Sequence, residues 1–253
     1  MTADPGASDA DPRIATVEAS PALVARHDKA SWLALFSDDG EVEDPVGSLP
    51  CRVGDGGRDR GRVAAFWDTY IAPNGIRFEV HRDLVDGDDV LRDVTIHTTL
   101  STGARLAVPS YVLYRLVPDH DAAGADADAQ AASPARAFRI RRLAAHWEIV
   151  PMVGQVLRQG LRGWWTVTVM TFLILRHQGL RGLASYLKSI LGGLRRSAGR
   201  RIAERSAASA RTDKVITSGP CVAFRVLCAD GAVSEVRLID HHTNGIRTFR
   251  PAG

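Results

Sequence analysis

Beyond Pro73-Asn74-Gly75 the apolar residues of this chain recur at every second position, and that change of period constrains the fold more than any other feature. Residues 76–86, 89–99 and 104–117 read as three strands, joined at Asp86-Gly87 and Thr102-Gly103, dipeptides suited to tight antiparallel turns. A last strand is predicted from about Phe138 to Ile149. It follows an Ala/Asp-rich stretch over 118–135 without periodicity, which reads as a flexible loop inserted in a hairpin. Upstream the spacing is helical: Val17, Leu23 and Val24, then Trp32, Leu33, Leu35 and Phe36. Ser20-Pro21 reads as a helix start, Ser37–Gly40 as a break, and Glu41–Pro45 as a short strand ended by proline. Arg62 to Ile71 reads as another helix. This order predicts an α+β fold over 15–151, a cone-shaped curved antiparallel sheet packed on N-terminal helices with a pocket between them. Residues 1–14 are an acidic, small-residue tail read as disordered, with no basic-then-apolar leader.

Past Pro151 the character changes. Val153, Val156, Leu157, Leu161 and Trp164 follow helical spacing, as do Leu180, Leu183, Leu187, Ile190, Leu191 and Leu194. From Met152 to Arg211 eleven Lys or Arg face a single acid, Glu204, a formal +10 that leaves −7 for the rest of a chain whose net charge is +3. Such an arm either meets an anionic surface or docks on the protein's own acidic part. The uncharged run Gly163–Leu175 has thirteen residues, short of the ~18 or more that span a bilayer. Trp164, Trp165 and the arginines beside an apolar stripe suit a helix lying in the interface of an anionic membrane. A helical hairpin packed on the first domain, or on a second subunit, fits the same pattern. Residues 212–253 return to strand chemistry: a hairpin about Ala229-Asp230-Gly231 and a third strand at Gly245–Phe249. Their pattern looks like the last hairpin of a second cone, too short to close one. The three cysteines, Cys51, Cys221 and Cys228, form neither a framework nor a C-x-x-C pair, which suits a reducing cytoplasm.

One stretch carries chemistry. Leu35-Phe36-Ser37-Asp38-Asp39-Gly40-Glu41-Val42-Glu43-Asp44-Pro45-Val46-Gly47-Ser48 is very similar to a segment of bacterial 3-ketosteroid Δ5-isomerases. These belong to the nuclear transport factor 2-like (SnoaL-like) fold, shared with polyketide cyclases and limonene epoxide hydrolase. The similarity extends more weakly from about Val17 to Trp147. Moving a double bond into conjugation with a ketone needs a base that takes a proton beside the carbonyl and returns it at a distant carbon. Val42 and Asp44 share one strand face while Glu43 points away. By resemblance Asp44 is the general base; otherwise an Asp before Pro starts a turn.

The resemblance also implies two donors to the dienolate oxygen, a tyrosine and a protonated aspartic acid, the arrangement the family itself exemplifies. Here Ser20 occupies the tyrosine's place, and Val112 or Tyr111 the acid's. Tyr70, Tyr111 and Tyr114 are the phenols on hand as substitutes. Trp67 falls at an aromatic helix position near the family's hydrogen-bond network, and Trp147, sharing a face with Leu143 and Ala145, at one that lines the pocket. Substrate binding is therefore expected from Trp147, Trp67, Tyr111 and Tyr114.

The expected function is an isomerase acting on a steroid or similar small hydrophobic ketone, without metal or redox cofactor. The alternatives are a non-catalytic hydrophobic-ligand binder, or cyclase or epoxide-hydrolase chemistry on the same cone. A homodimer through the open sheet face is implied by the resemblance. The expected location is the cytoplasm, with residues 152–211 as the part that meets the inner membrane surface. Gly54–Gly61 lacks the ending and context of a phosphate loop. Asp240-His241-His242 lacks a third metal ligand at useful spacing. Arg195, Arg196, Arg200 and Arg201 accompany no recognised nucleic-acid module, so no nucleic acid is expected.

Overall fold

The computed structural model describes residues 11–54, 61–119, 137–193, 196–207, 210–241, 243 and 245–251. The expectations for the tail before residue 11, the loop over 120–135, Arg195, His242 and most of Gly54–Gly61 lie outside the described residues.

The first helix, α1 (Pro12–Ala25), starts earlier than Ser20-Pro21. Asp11 caps it, its carboxylate accepting from Arg13 N at 2.9 Å, and Pro12 takes the first position, where a missing N–H costs nothing. Pro21 sits inside the helix. Helix α2 (Lys29–Ala34) leads straight into β1 (Phe36–Glu43), so Ser37–Gly40 continues a strand where a break was expected. A register shift between Phe36 and Glu41 against the partner strand absorbs the irregular residues. Two short strands, β2 (Cys51–Arg52) and β3 (Gly61–Arg62), precede α3 (Val63–Phe66), which continues as a π-helical turn over Trp67–Ile71.

The long strands follow as β4 (Gly75–Asp86), β5 (Asp89–Thr99), β6 (Arg105–Pro118) and β7 (Phe138–His146). β7 ends before Trp147, and Ile149 opens α4 (Ile149–Leu157). The arm continues as α5 (Leu161–Gly193), bent at Gly179 where φ is +67°, and α6 (Arg196–Ser206). Strands β8 (Arg211–Ser218), β9 (Cys221–Leu227), β10 (Val233–Asp240) and β11 (Gly245–Pro251) finish the chain. Among the described residues the strands form one sheet in the order β3-β2-β1-β7-β6-β5-β4-β11-β10-β9-β8. The join between its halves is short: Arg250 opposite Val85 and Pro251 opposite Leu84.

At that join the sheet folds back on itself. Along β6 and β7 consecutive residues are buried alternately on opposite faces. Val112, Tyr114, Leu143 and Ala145 pack with Trp32, Phe36 and the helices on the inner face. Leu84, Leu91, Tyr111, Leu113 and Ala144 pack on the outer face against Ala223, Val236, Leu238 and Phe249 of the C-terminal strands. The part of the open face around Leu84, Leu91 and Tyr111 is thus covered by the chain's own C-terminal sheet, while Arg77, Glu79 and His81 farther along β4 remain exposed.

A buried charge cluster fixes this covering. The Asp93 carboxylate is fully buried on the outer face and accepts from Lys214 Nζ at 2.5 Å and Arg225 Nε at 2.8 Å. Burial pushes its pKa up, but the hydrogen bonds from Arg225 and Lys214 outweigh burial and hold it below the usual value. Lys214 Nζ also donates to Val94 O and Ser110 O, each at 3.0 Å, and the Tyr111 hydroxyl donates to Lys214 O at 3.1 Å. Asp93→Asn removes the anion and leaves three cations, Lys214, Arg225 and Arg82 (its Nε 3.6 Å from the carboxylate), facing an amide. The expected cost is about 3–5 kcal/mol, read as a lowered urea midpoint.

Candidate active site

The inner face of the cone encloses a cavity of about 340 Å³. Val112, Tyr114, Leu143, Ala145 and Trp147 give one wall; Trp32, Phe66, Tyr70 and Ile71 from the N-terminal helices give another. The arm supplies the roof, with Met152 and Val156 from α4 and Met170, Ile174, Tyr186 and Ile190 from α5. Of the two readings of the arm as a packed helix, the structure shows docking on the first domain.

Specific hydrogen bonds seat that roof. Gln155 on α4 and Gln159 in the turn just after it each pair with a backbone amide and carbonyl of β6. Gln155 bonds Ala107 at 3.0 and 2.9 Å, and Gln159 bonds Arg105 at the same two distances. Thr166 and Thr102 hydroxyls lie 2.6 Å apart.

Asp44 is the sole charged side chain among the described lining residues. It lies just past β1, before a cis peptide to Pro45, in a loop held from three sides. Val46 N donates to Ala145 O at 2.8 Å, which ties the loop to the cone. Glu43, buried on the side away from the cavity, accepts from Gly47 N at 2.7 Å and pairs with Arg142. Ser189 of the arm donates to Gly47 O at 3.1 Å, and Ser218 of the C-terminal sheet to Val46 O at 3.0 Å. Gly47 (φ +94°) and Gly219 (φ +53°) meet backbone to backbone, where an added Cβ on Gly47 would fall 2.6 Å from the Gly219 Cα. Both the positive φ and the close approach require glycine.

Trp147 donates from Nε1 to Asp44 Oδ1 at 2.5 Å. Asp44 Oδ2 has no hydrogen-bond partner among the described residues and remains accessible from the cavity. Burial raises the Asp44 pKa from 3.8 to about 6, against the opposing effect of the Trp147 hydrogen bond. A carboxylate poised there is largely ionised at neutral pH, yet basic enough to hold a proton.

The other predicted site residues divide. Tyr114 lines the cavity, as does Ser20, which accepts from Trp32 Nε1 at 3.1 Å. Tyr111 does not line it: neighbours on a strand point to opposite faces, so Tyr111 faces the C-terminal sheet and Val112 the cavity. Trp67 is buried behind Trp32, ring centroids 5.2 Å apart, and does not reach the cavity surface. Tyr70 lines the cavity, stacked on Tyr186 with ring centroids 6.4 Å apart.

Tyr186 is the residue the sequence reading missed. Its phenol pKa is raised by burial and then by the nearby Asp44 charge, and it has no hydrogen-bond partner among the described residues. Its signal was weak: one tyrosine in a helix whose docking partner only the fold reveals.

An ionised carboxylate in an apolar cavity opposes folding. Because the folded pKa lies above the unfolded one, the folded protein binds this proton more tightly, and stability falls as pH rises from 3.8 through about 6. Asp44→Asn keeps an oxygen for Trp147 to donate to. It should raise the urea midpoint at neutral pH, with the gain disappearing as pH falls to 3.8, the ordinary aspartate value.

Residues 17–124 match the sequence profile of the SnoaL-like domain. Among solved structures, the Δ5-3-ketosteroid isomerase from Mycobacterium sp. is similar at 26% identity, covering 55% of this chain and 95% of that chain with a TM-score of 0.40. A Mycobacterium tuberculosis protein in complex with estradiol-17β-hemisuccinate shares 21% identity over 56% of this chain and 97% of that chain, with a TM-score of 0.41. An epoxide hydrolase from M. tuberculosis, described as LEH-like, shares 20% identity over 62% and 96%, with a TM-score of 0.42. No curated protein matches the chain.

Proposed function

We propose that this SnoaL-like domain shifts a double bond in a steroid or similar fused-ring ketone, with Asp44 as the general base. The observation that carries the reading is a single carboxylate, held by Trp147, on the wall of a covered apolar cavity with its pKa at about 6. The cavity size lies within the ordinary range of small-molecule sites, and its walls suit a flat apolar ligand.

Asp44 Oδ2 takes a proton from the carbon next to the ketone. The electrons of that C–H bond pass into the conjugated system and leave negative charge on the ketone oxygen. Protonated Asp44 then returns the same proton at the distant carbon, so nothing is consumed. The dienolate oxygen needs a donor, and Tyr186 supplies it, a phenol on the wall of the same cavity and near enough to Asp44 to feel its charge. The arm thereby contributes a catalytic group as well as a roof.

A non-catalytic ligand-binding role is favoured instead by the make-up of the walls, most of whose lining residues are apolar. Ultraviolet absorbance separates the two readings by following a Δ5-3-ketosteroid to its conjugated isomer. Conversion by the wild type is expected, reduced ~10²–10⁴-fold in Asp44→Asn and ~10²–10³-fold in Tyr186→Phe. Steroid bound without conversion would make the domain a binder.

A further inference from the structure

The roof helix has a second face. Leu161, Trp164, Trp165 and Phe172 on α5 are 90%, 63%, 61% and 60% exposed, and Leu180 just past the bend is 78% exposed. Positions 161, 164, 165, 168, 172 and 175 follow helical spacing, so these side chains form one stripe opposite buried Gly163, Thr166 and Ile174. A contiguous outward stripe with two tryptophans marks an interaction surface.

Charge selects its occupant. Helix α5 carries Arg162, Arg176, Arg181 and Lys188 and no acidic residue. Arg158 just past α4, and Arg200 and Arg205 on α6, are exposed as well. In a two-fold pairing the stripe would meet its own copy, and cations would face cations. An anionic bilayer presents the complementary charge, and the tryptophan ring suits the headgroup boundary. No helix among the described residues is long and apolar enough to cross a membrane.

We propose that the outer face of α5 lies in the interface of an anionic lipid bilayer. Tryptophans 164 and 165 insert at headgroup depth while the flanking arginines contact lipid phosphates and carboxylates. Because the opposite face of this helix roofs the cavity, docking places the cavity directly beneath the membrane surface. A ligand dissolved in the bilayer then enters beside α5; this last step rests on the apolar-ligand reading of the site, whereas the docking does not.

Flotation with vesicles of phosphatidylcholine, alone or mixed with phosphatidylserine, tests the docking. The wild-type chain is expected to float with the anionic vesicles at low salt and to detach as salt is raised. The double variant Trp164→Ser, Trp165→Ser should bind about tenfold more weakly or worse. Neither tryptophan lines the cavity, so its turnover of a soluble Δ5-3-ketosteroid without vesicles should match the wild type. That assay can fail while flotation succeeds, which separates the two proposals. Wild type remaining with the unbound fraction on anionic vesicles, or a variant that floats as well as wild type, would overturn the docking. A dimer in sedimentation equilibrium that the double variant dissociates would assign the stripe to a second copy instead.

Discussion

The curved sheet has two apolar faces, and everything else in the molecule depends on covering both. Strand β6 shows the constraint in four consecutive residues: Tyr111 and Leu113 bury outward, Val112 and Tyr114 inward. A sheet with one wet face would need polar residues at alternate positions. This one covers the apolar part of its outer face with β8–β11, leaving the polar residues Arg77, Glu79 and His81 exposed, and its inner face with the N-terminal helices and the arm. The Asp93 cluster then gives the outer contact a defined register, since its fully buried carboxylate is satisfied only when Lys214 and Arg225 arrive from the C-terminal strands.

Covering the inner face is also what raises the proton affinity of Asp44. A carboxylate at the mouth of an open cone would be hydrated and titrate near its ordinary value. Roofed by α4 and α5 it loses that hydration, and its proton affinity rises. The loop that carries it is bonded at once to β7, the arm and the C-terminal sheet. Residues far from the motif in sequence therefore set the position and the pKa of its carboxylate.

The strands and the Asp44 motif were legible because their signals are local: a period of two, turn dipeptides, and a contiguous run of residues. Trp147 was legible because strand parity places it with Leu143 and Ala145, although it lies one residue past the strand. Local signals failed where a competing long-range contact decided the outcome. Ser20-Pro21 looks like a helix start until Asp11 caps an earlier one. Tyr111 looks like a pocket residue until the register turns it outward, and Trp67 until Trp32 screens it. The docking of the arm, and with it Tyr186, depends on side-chain matches such as Gln155 with Ala107 that no periodicity encodes. A signal for the covered outer face did exist: apolar residues at both parities in Tyr111–Tyr114 and Leu143–Ala145.

The central claim is that one carboxylate is desolvated inside a covered cavity. Carbon-13 NMR of aspartate-labelled protein, with the Asp44 resonance identified by its loss in Asp44→Asn, measures this directly. The account predicts a carboxyl that titrates at about 6; titration at the ordinary value of 3.8 would show Asp44 to be hydrated and contradict it.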